Sequence, residues 1–136
     1  GGVDITVDRK KVKPSESYNF KGMMFSGIPN LAQSFGYTNA SWTLKCDLTS
    51  AYVCRLLKYM DGQNLTSVVP EIDLQRVGEE PMLDFTSGYV QRAMKDFPRQ
   101  GDVRPWKLYQ NYILDLLMLG YGKVEDPELK FGTAGN

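Results

Sequence analysis

The stretch from 40 to 60 constrains the fold more than any other part of the chain. Leu44, Leu48, Ala51 or Tyr52, Arg55 and Tyr59 recur at helical spacing along one side. Cys46, Val53, Leu56, Leu57 and Met60 widen that stripe, which predicts a long and substantially buried helix. Thr38, Asn39 and Ser41 are candidate caps, with Asn39 favoured, because a short side-chain oxygen can accept a free N–H of the first turn. Asp61-Gly62 closes the helix, with Gly62 as the left-handed residue just past its end.

The segments around this helix read differently. Residues 1–13 alternate Val3, Ile5 and Val7 with polar positions, which predicts a hairpin with its turn at Asp8-Arg9-Lys10 and a return strand from Val12. Within 18–31 the run Met23-Met24-Phe25, closed by Ser26-Gly27 and Pro29-Asn30, predicts a short strand buried on both faces, as in a parallel sheet. Residues 62–82 read as a turn-rich connector. A helix is expected over 87–97, and another opens at Pro105, carrying Trp106, Tyr109, Tyr112, Ile113, Leu116 and Leu117 until Gly120 and Gly122 stop it. Leu129-Lys130-Phe131 can add a last short strand.

Several function classes are excluded early. Histidine is absent, which removes Ser-His-Asp and Cys-His nucleophilic sites, His-metal sites and the commonest general base. Lys plus Arg and Asp plus Glu balance at 16 each, so nothing points to nucleic acid or an anionic membrane. No apolar run approaches the roughly 20 residues of a bilayer span, and a reducing, cytoplasmic setting is the expectation. Cys46 and Cys54 stand eight positions apart on one helix, roughly 12 Å at 1.5 Å per residue, too far for a disulfide. They read as small apolar side chains in the core, and no ligand set for a metal exists.

Other motifs fail on inspection. Gly120-Tyr121-Gly122 follows a helix rather than a strand, and Glu125 stands where a third glycine belongs, so it is no dinucleotide fingerprint. Asp115, Glu125, Asp126 and Glu128 read as solvated charges. Ser26-Gly27 and Ser87-Gly88 lack the frame of a nucleophile elbow. One place suggests chemistry: a buried strand runs through a Gly-Pro loop into residues 36–42, which open a buried helix. Ligands of open α/β sheets gather beyond strand carboxyl ends, and a helix N-terminus suits an electron-rich group. Plain capping of the helix explains the same residues, and the two readings are compatible.

The run KGMMFSGIPNLAQSFGYTNASWTLKCDLTSAYVCRLLKYMD, residues 21–61, resembles the class B flavin-dependent monooxygenases, nearest to the Baeyer–Villiger enzymes of the ethionamide-activating type. The later run SGYVQRAMKDFPRQGDVRPWKLYQNYILDL is similar to the C-terminal segment of the same group. The resemblance implies a fold class of α+β for this chain. Residues 1–62 would be the C-terminal end of a Rossmann-like α/β FAD-binding domain, with its final strands and long helix, and 63–136 a helical C-terminal segment. It implies the cofactors FAD and NADPH, and O2-dependent oxygenation of ketones or sulfur compounds in a parent enzyme. Backbone groups of Thr38, Asn39, Ala40 and Ser41 would face the flavin, with Tyr37 and Trp42 shaping the pocket.

The departures from that pattern matter as much. Both GxGxxG cradles and the His-bearing fingerprint between them are absent from this sequence, and no arginine here matches the family's flavin-side context. No residue is therefore expected to be catalytic. Neither cofactor should bind tightly without phosphate cradles. The expected partners are the missing N-terminal FAD and NADPH domains and a small organic substrate, and apolar surface left bare by their absence could drive self-association. The alternative is a non-catalytic protein-interaction domain derived from that fold.

Overall fold

A computed structural model describes residues 3–38, 40–80 and 94–133. The expected N-terminal hairpin is present. Strand β1 (Ile5–Val7) pairs antiparallel with β2 (Lys10–Val12), Ile5 opposite Val12. Asp8 and Arg9 both take positive φ, 48° and 67°, the conformation of a two-residue turn whose twist matches its flanking strands.

The Met-rich run departs from expectation. Strands β3 (Asn19–Phe20) and β4 (Met24–Phe25) form a second small antiparallel hairpin, not a strand inside a parallel sheet. Lys21 and Gly22 reverse the chain at φ 51° and 74°. The run is nonetheless fully buried, because the rest of the fold closes over both its faces. Adjacent to it, Tyr18 forms a parallel bridge with Arg99, and the Asn19 N–H donates to the Arg99 carbonyl at 2.8 Å.

Helix α1 (Trp42–Gly62) occupies the predicted position, shifted by two residues at each end. It starts after Ser41, whose side chain makes no cap bond; Asn39, the favoured cap, lies outside the described residues. The helix is buried on one face only. Lys45, Leu48, Thr49, Tyr52, Leu56 and Met60 turn inward, while Trp42, Leu44 and Leu57 remain 50%, 39% and 58% exposed. Of the residues expected to widen the stripe, Leu56 and Met60 are buried, Cys46 and Val53 half-buried, and Leu57 faces solvent. At its end, Asn64 takes the left-handed role expected of Gly62, with φ 55°. Asn64 N–H donates to the Asp61 carbonyl at 3.1 Å and Leu65 N–H to that of Met60 at 2.8 Å, which are the two bonds of a Schellman motif.

The second half contains more strand than expected. β5 (Ser67–Pro70), inside the anticipated connector, pairs antiparallel with β8 (Leu129–Gly132), the predicted tail strand. β6 (Glu79–Glu80) pairs with β7 (Gln100–Gly101). The expected helix over 87–97 falls mostly outside the described residues, its last part being a single 3-10 turn, Met94–Asp96. Pro105 opens no helix. Residues 103–106 turn instead, with Trp106 N–H bonded to the Val103 carbonyl at 3.0 Å. Helix α2 (Tyr112–Asp115) begins only after Asn111, whose Oδ1 accepts from the N–H groups of Ile113 and Leu114, and it continues as a π-helical segment, Leu116–Tyr121.

These pieces close over one core. Trp106, Phe20 and Tyr52 are fully buried in it, Trp106 meeting Phe20 edge-on at 5.5 Å, and each such side chain stabilises by roughly 1.5–3 kcal/mol. Leu119 from the π-helical segment and Val68 and Leu129 from the β5–β8 pair complete it. The architecture is α+β, with short antiparallel sheets. Both cysteines are free, as their spacing requires, but Cys46 is half-buried and Cys54 exposed, so neither is the core residue expected. Among the described residues no helix is long and apolar enough to cross a membrane, and none of their His, Cys, Asp or Glu side chains group to hold a metal.

Candidate functional site

The turn from Phe35 to Trp42 is shaped by an aromatic clasp. Trp42, the first residue of α1, packs on Phe35 with ring centroids 5.1 Å apart. Its indole also lies against Gly36, where a Cβ would stand only 2.2 Å from Trp42 Cδ2. Any side chain at 36 would push the indole off, so the glycine lets the helix start fold back over the turn that leads into it.

Tyr37 anchors the inner side. Its hydroxyl donates to Asp115 Oδ2 at 2.6 Å, and Lys45 Nζ lies 2.8 Å from the same oxygen. Three elements thereby meet: the turn, the first part of α1, and the end of α2. Burial pulls the Lys45 ammonium below its usual range, with Asp115 opposing that shift. Burial, then the bond to Asp115, raises the Tyr37 phenol well above its usual value. Lys45 and Asp115 thus form a desolvated ion pair, and Tyr37 holds its proton throughout the neutral range. The gap these side chains enclose with Gly22 and Leu108 is about 10 Å³, room for about one water.

The outer side is polar and open. Thr38 donates through its N–H and its hydroxyl to Gln110 Oε1, at 3.2 and 3.4 Å. Ala40, Ser41 and Trp42 are exposed, and Ser41 Oγ pairs with Thr43 Oγ1 at 3.0 Å instead of turning back to the helix. Ser41 thus gives the first-turn N–H groups of α1 no side-chain cap, and residues 40–44 are exposed. Of the six residues anticipated for a ligand, the structure brings Tyr37, Thr38, Ala40, Ser41 and Trp42 into this one turn, with Tyr37 pointing inward. Asn39 lies outside the described residues.

Lys45, Gln110 and Asp115 were not anticipated. Asp115, read from sequence as a solvated charge, is buried. Asp126, read the same way, is paired with buried Lys21 at 3.1 Å. A lysine on the inward stripe of α1, one turn before Leu48, was the available signal. Its partner stands 70 positions on, beyond any local pattern.

No protein-family profile and no solved structure matches the chain. Curated proteins do. The FAD-containing monooxygenase EthA of Mycobacterium tuberculosis is 48% identical over 131 residues, which is 96% of this chain and 27% of that protein. Its relatives are FAD-containing monooxygenases. The EthA of Mycolicibacterium smegmatis is 46% identical over the same shares. The "Probable FAD-binding monooxygenase AlmA" of Acinetobacter baylyi is 42% identical over 132 residues, 96% of this chain and 26% of its own length. The resemblance, expected over most of the chain from about Gly1 to Phe131, holds over 96% of it, and the chain spans about a quarter of the length of these monooxygenases.

Proposed function

We propose that this chain is the C-terminal part of an FAD- and NADPH-dependent monooxygenase that oxygenates ketones or sulfur compounds, and that it has no activity by itself. The observation that carries this is the 48% identity to a FAD-containing monooxygenase over 96% of the chain. The exposed start of α1, which Ser41 does not cap, is in keeping with it. Free N–H groups at the positive end of a helix suit the electron-rich pyrimidine end of a flavin. The residues present fit that end and no more. The gap inside the turn is far too small for a ring system, so the cofactor would lie on the outer side, against Thr38, Asn39, Ala40 and Ser41, with Trp42 at its edge and Tyr37 bracing the turn from within. FAD supplies the redox chemistry when bound. This chain's part is to present donors and to hold them still through Tyr37, Lys45 and Asp115. No residue here is assigned to NADPH. The FAD and NADPH domains would belong to the remainder of the parent, with residues 1–62 completing the flavin domain and 63–136 following it. A cytoplasmic site of action goes with the same proposal.

Two experiments test the proposal. The purified chain, titrated with FAD and followed by flavin fluorescence with NADPH oxidation alongside, should show neither binding nor turnover; tight binding would overturn the assignment of the phosphate sites to other domains. The chain is also exchanged for the matching segment of the M. tuberculosis relative. Retained flavin content and NADPH-dependent O2 consumption support the reading, and a flavin-free chimera that is otherwise folded rejects it.

A further inference from the structure

A second cavity lies apart from the flavin-side turn, and its floor is an ion pair. The β3–β4 turn sends Lys21 inward, where it is 4% exposed. Its Nζ lies 3.1 Å from Asp126 Oδ2 and 3.3 Å from the Tyr52 hydroxyl, over the Tyr52 ring at 4.8 Å. Above it opens a cavity of about 400 Å³, within the usual size range of small-molecule sites. Its side walls are apolar: Leu117 and Met118 from the π-helical segment face Pro105 and Pro127. Leu117 is 58% exposed, so covering it would be favourable.

The charges around the cavity are unequal in their commitments. Asp126 is satisfied on both oxygens, Oδ2 by Lys21 and Oδ1 by the Glu128 N–H at 3.1 Å. Glu125 lies near the Tyr59 hydroxyl and raises its pKa. Arg104 and Lys123, which also line the cavity, have no carboxylate within ion-pair distance among the described residues. The Arg104 guanidinium lies 4.9 Å over the Tyr109 ring, which limits its freedom. Two cations without a carboxylate partner among the described residues, beside an apolar wall, select a molecule that is both anionic and apolar.

We propose that this cavity binds a small organic carboxylate with an aliphatic tail, its carboxylate held by Arg104 and Lys123 and its tail laid along Leu117 and Met118. The site uses none of the flavin-side residues, so it stands or falls independently of the monooxygenase reading. The test is a titration of the isotope-labelled chain with octanoate, followed by amide chemical shifts. Octanol, with the same tail and no charge, and acetate, with the same head and no tail, serve as comparisons. Octanoate should shift the amides of Arg104, Leu117, Met118 and Lys123, and more weakly as salt is raised. Arg104→Glu and Lys123→Glu should each weaken it about fivefold, as loss of an exposed charge contact does. Equal binding of octanol or acetate overturns the proposal, as do shifts confined to other parts of the chain. A spectrum that octanoate leaves unchanged also overturns it, whether the walls assemble and stay empty or do not assemble.

Discussion

The Tyr37 hydroxyl and Asp115 Oδ2, 78 residues apart in sequence, are joined by a buried hydrogen bond of 2.6 Å. The same oxygen holds Lys45, so one carboxylate fastens both the turn and the helix that follows it to the far end of the chain. Removing it leaves a buried ammonium without its counter-charge. Asp115→Ala should therefore destabilise the chain by about 3–5 kcal/mol. Replacing both partners, as in Asp115→Leu with Lys45→Met, should recover most of that loss, because no buried charge remains. Urea unfolding of the single and double variants measures both quantities, and a double variant as weak as the single one would refute the account.

The indole of Trp42 and the bare backbone of Gly36 make a steric prediction. Gly36→Ala places a methyl 2.2 Å from Trp42 Cδ2, and displacing that ring should cost about 1–3 kcal/mol. In a Trp42→Ala background the same substitution should cost much less, since the obstructing ring is gone. A double-mutant cycle by thermal unfolding gives the coupling directly. Purely additive effects would show that Gly36 is needed for some other reason.

Alkaline pH separates two opposed groups of side chains. The phenols of Tyr37 and Tyr52 are raised above their ordinary value of 10.0, chiefly by burial. The folded chain keeps these protons after the unfolded chain has lost them, so their stabilisation is complete below about pH 10 and disappears as pH rises further. Lys21 and Lys45 are lowered below 10.5 by burial. There the unfolded chain holds more protons, so stability rises with pH through that window. Tyr37→Phe should flatten the loss of stability above pH 10, and Lys45→Met should flatten the gain below 10.5. Unfolding free energies measured from pH 8 to 11.5 check both signs.

Helices α1 and α2 differ in how they start. Asn111 accepts from two N–H groups at the start of α2, at 3.0 and 3.2 Å, so Asn111→Ala should cost about 1 kcal/mol. Ser41 caps nothing at the start of α1, so Ser41→Ala should change stability by less than about 0.5 kcal/mol. Denaturation midpoints of the two variants decide it. A large loss at Ser41 would mean that the start of α1 is not open to a ligand's acceptor.

What local pattern encodes, the sequence determined by itself. The period of 3.6 over 40–60 placed α1 to within two residues, because burying one apolar face needs no knowledge of what covers it. Alternation around Asp8-Arg9 placed the first hairpin, since the turn and its two arms are contiguous. The apolar spacing Leu129-Phe131 marked the last strand. Its partner at Ser67–Pro70 was hidden in a segment rich in turn residues.

Tertiary structure decided the rest. Trp106 looked helical by spacing, yet it sits in a turn, because burying the indole against Phe20 outweighs a helix begun at Pro105. Met23 to Phe25 looked like a parallel strand, because burial on both faces leaves the same apolar signature whatever provides the covering. The Tyr37–Asp115–Lys45 contact could not be read locally at all. A buried ion pair across 70 positions has no periodicity, and a carboxylate near a helix end looks the same whether water or lysine meets it. The turn from Phe35 to Trp42 was legible as a motif; what holds it in place was not, because that depends on where α2 comes to rest.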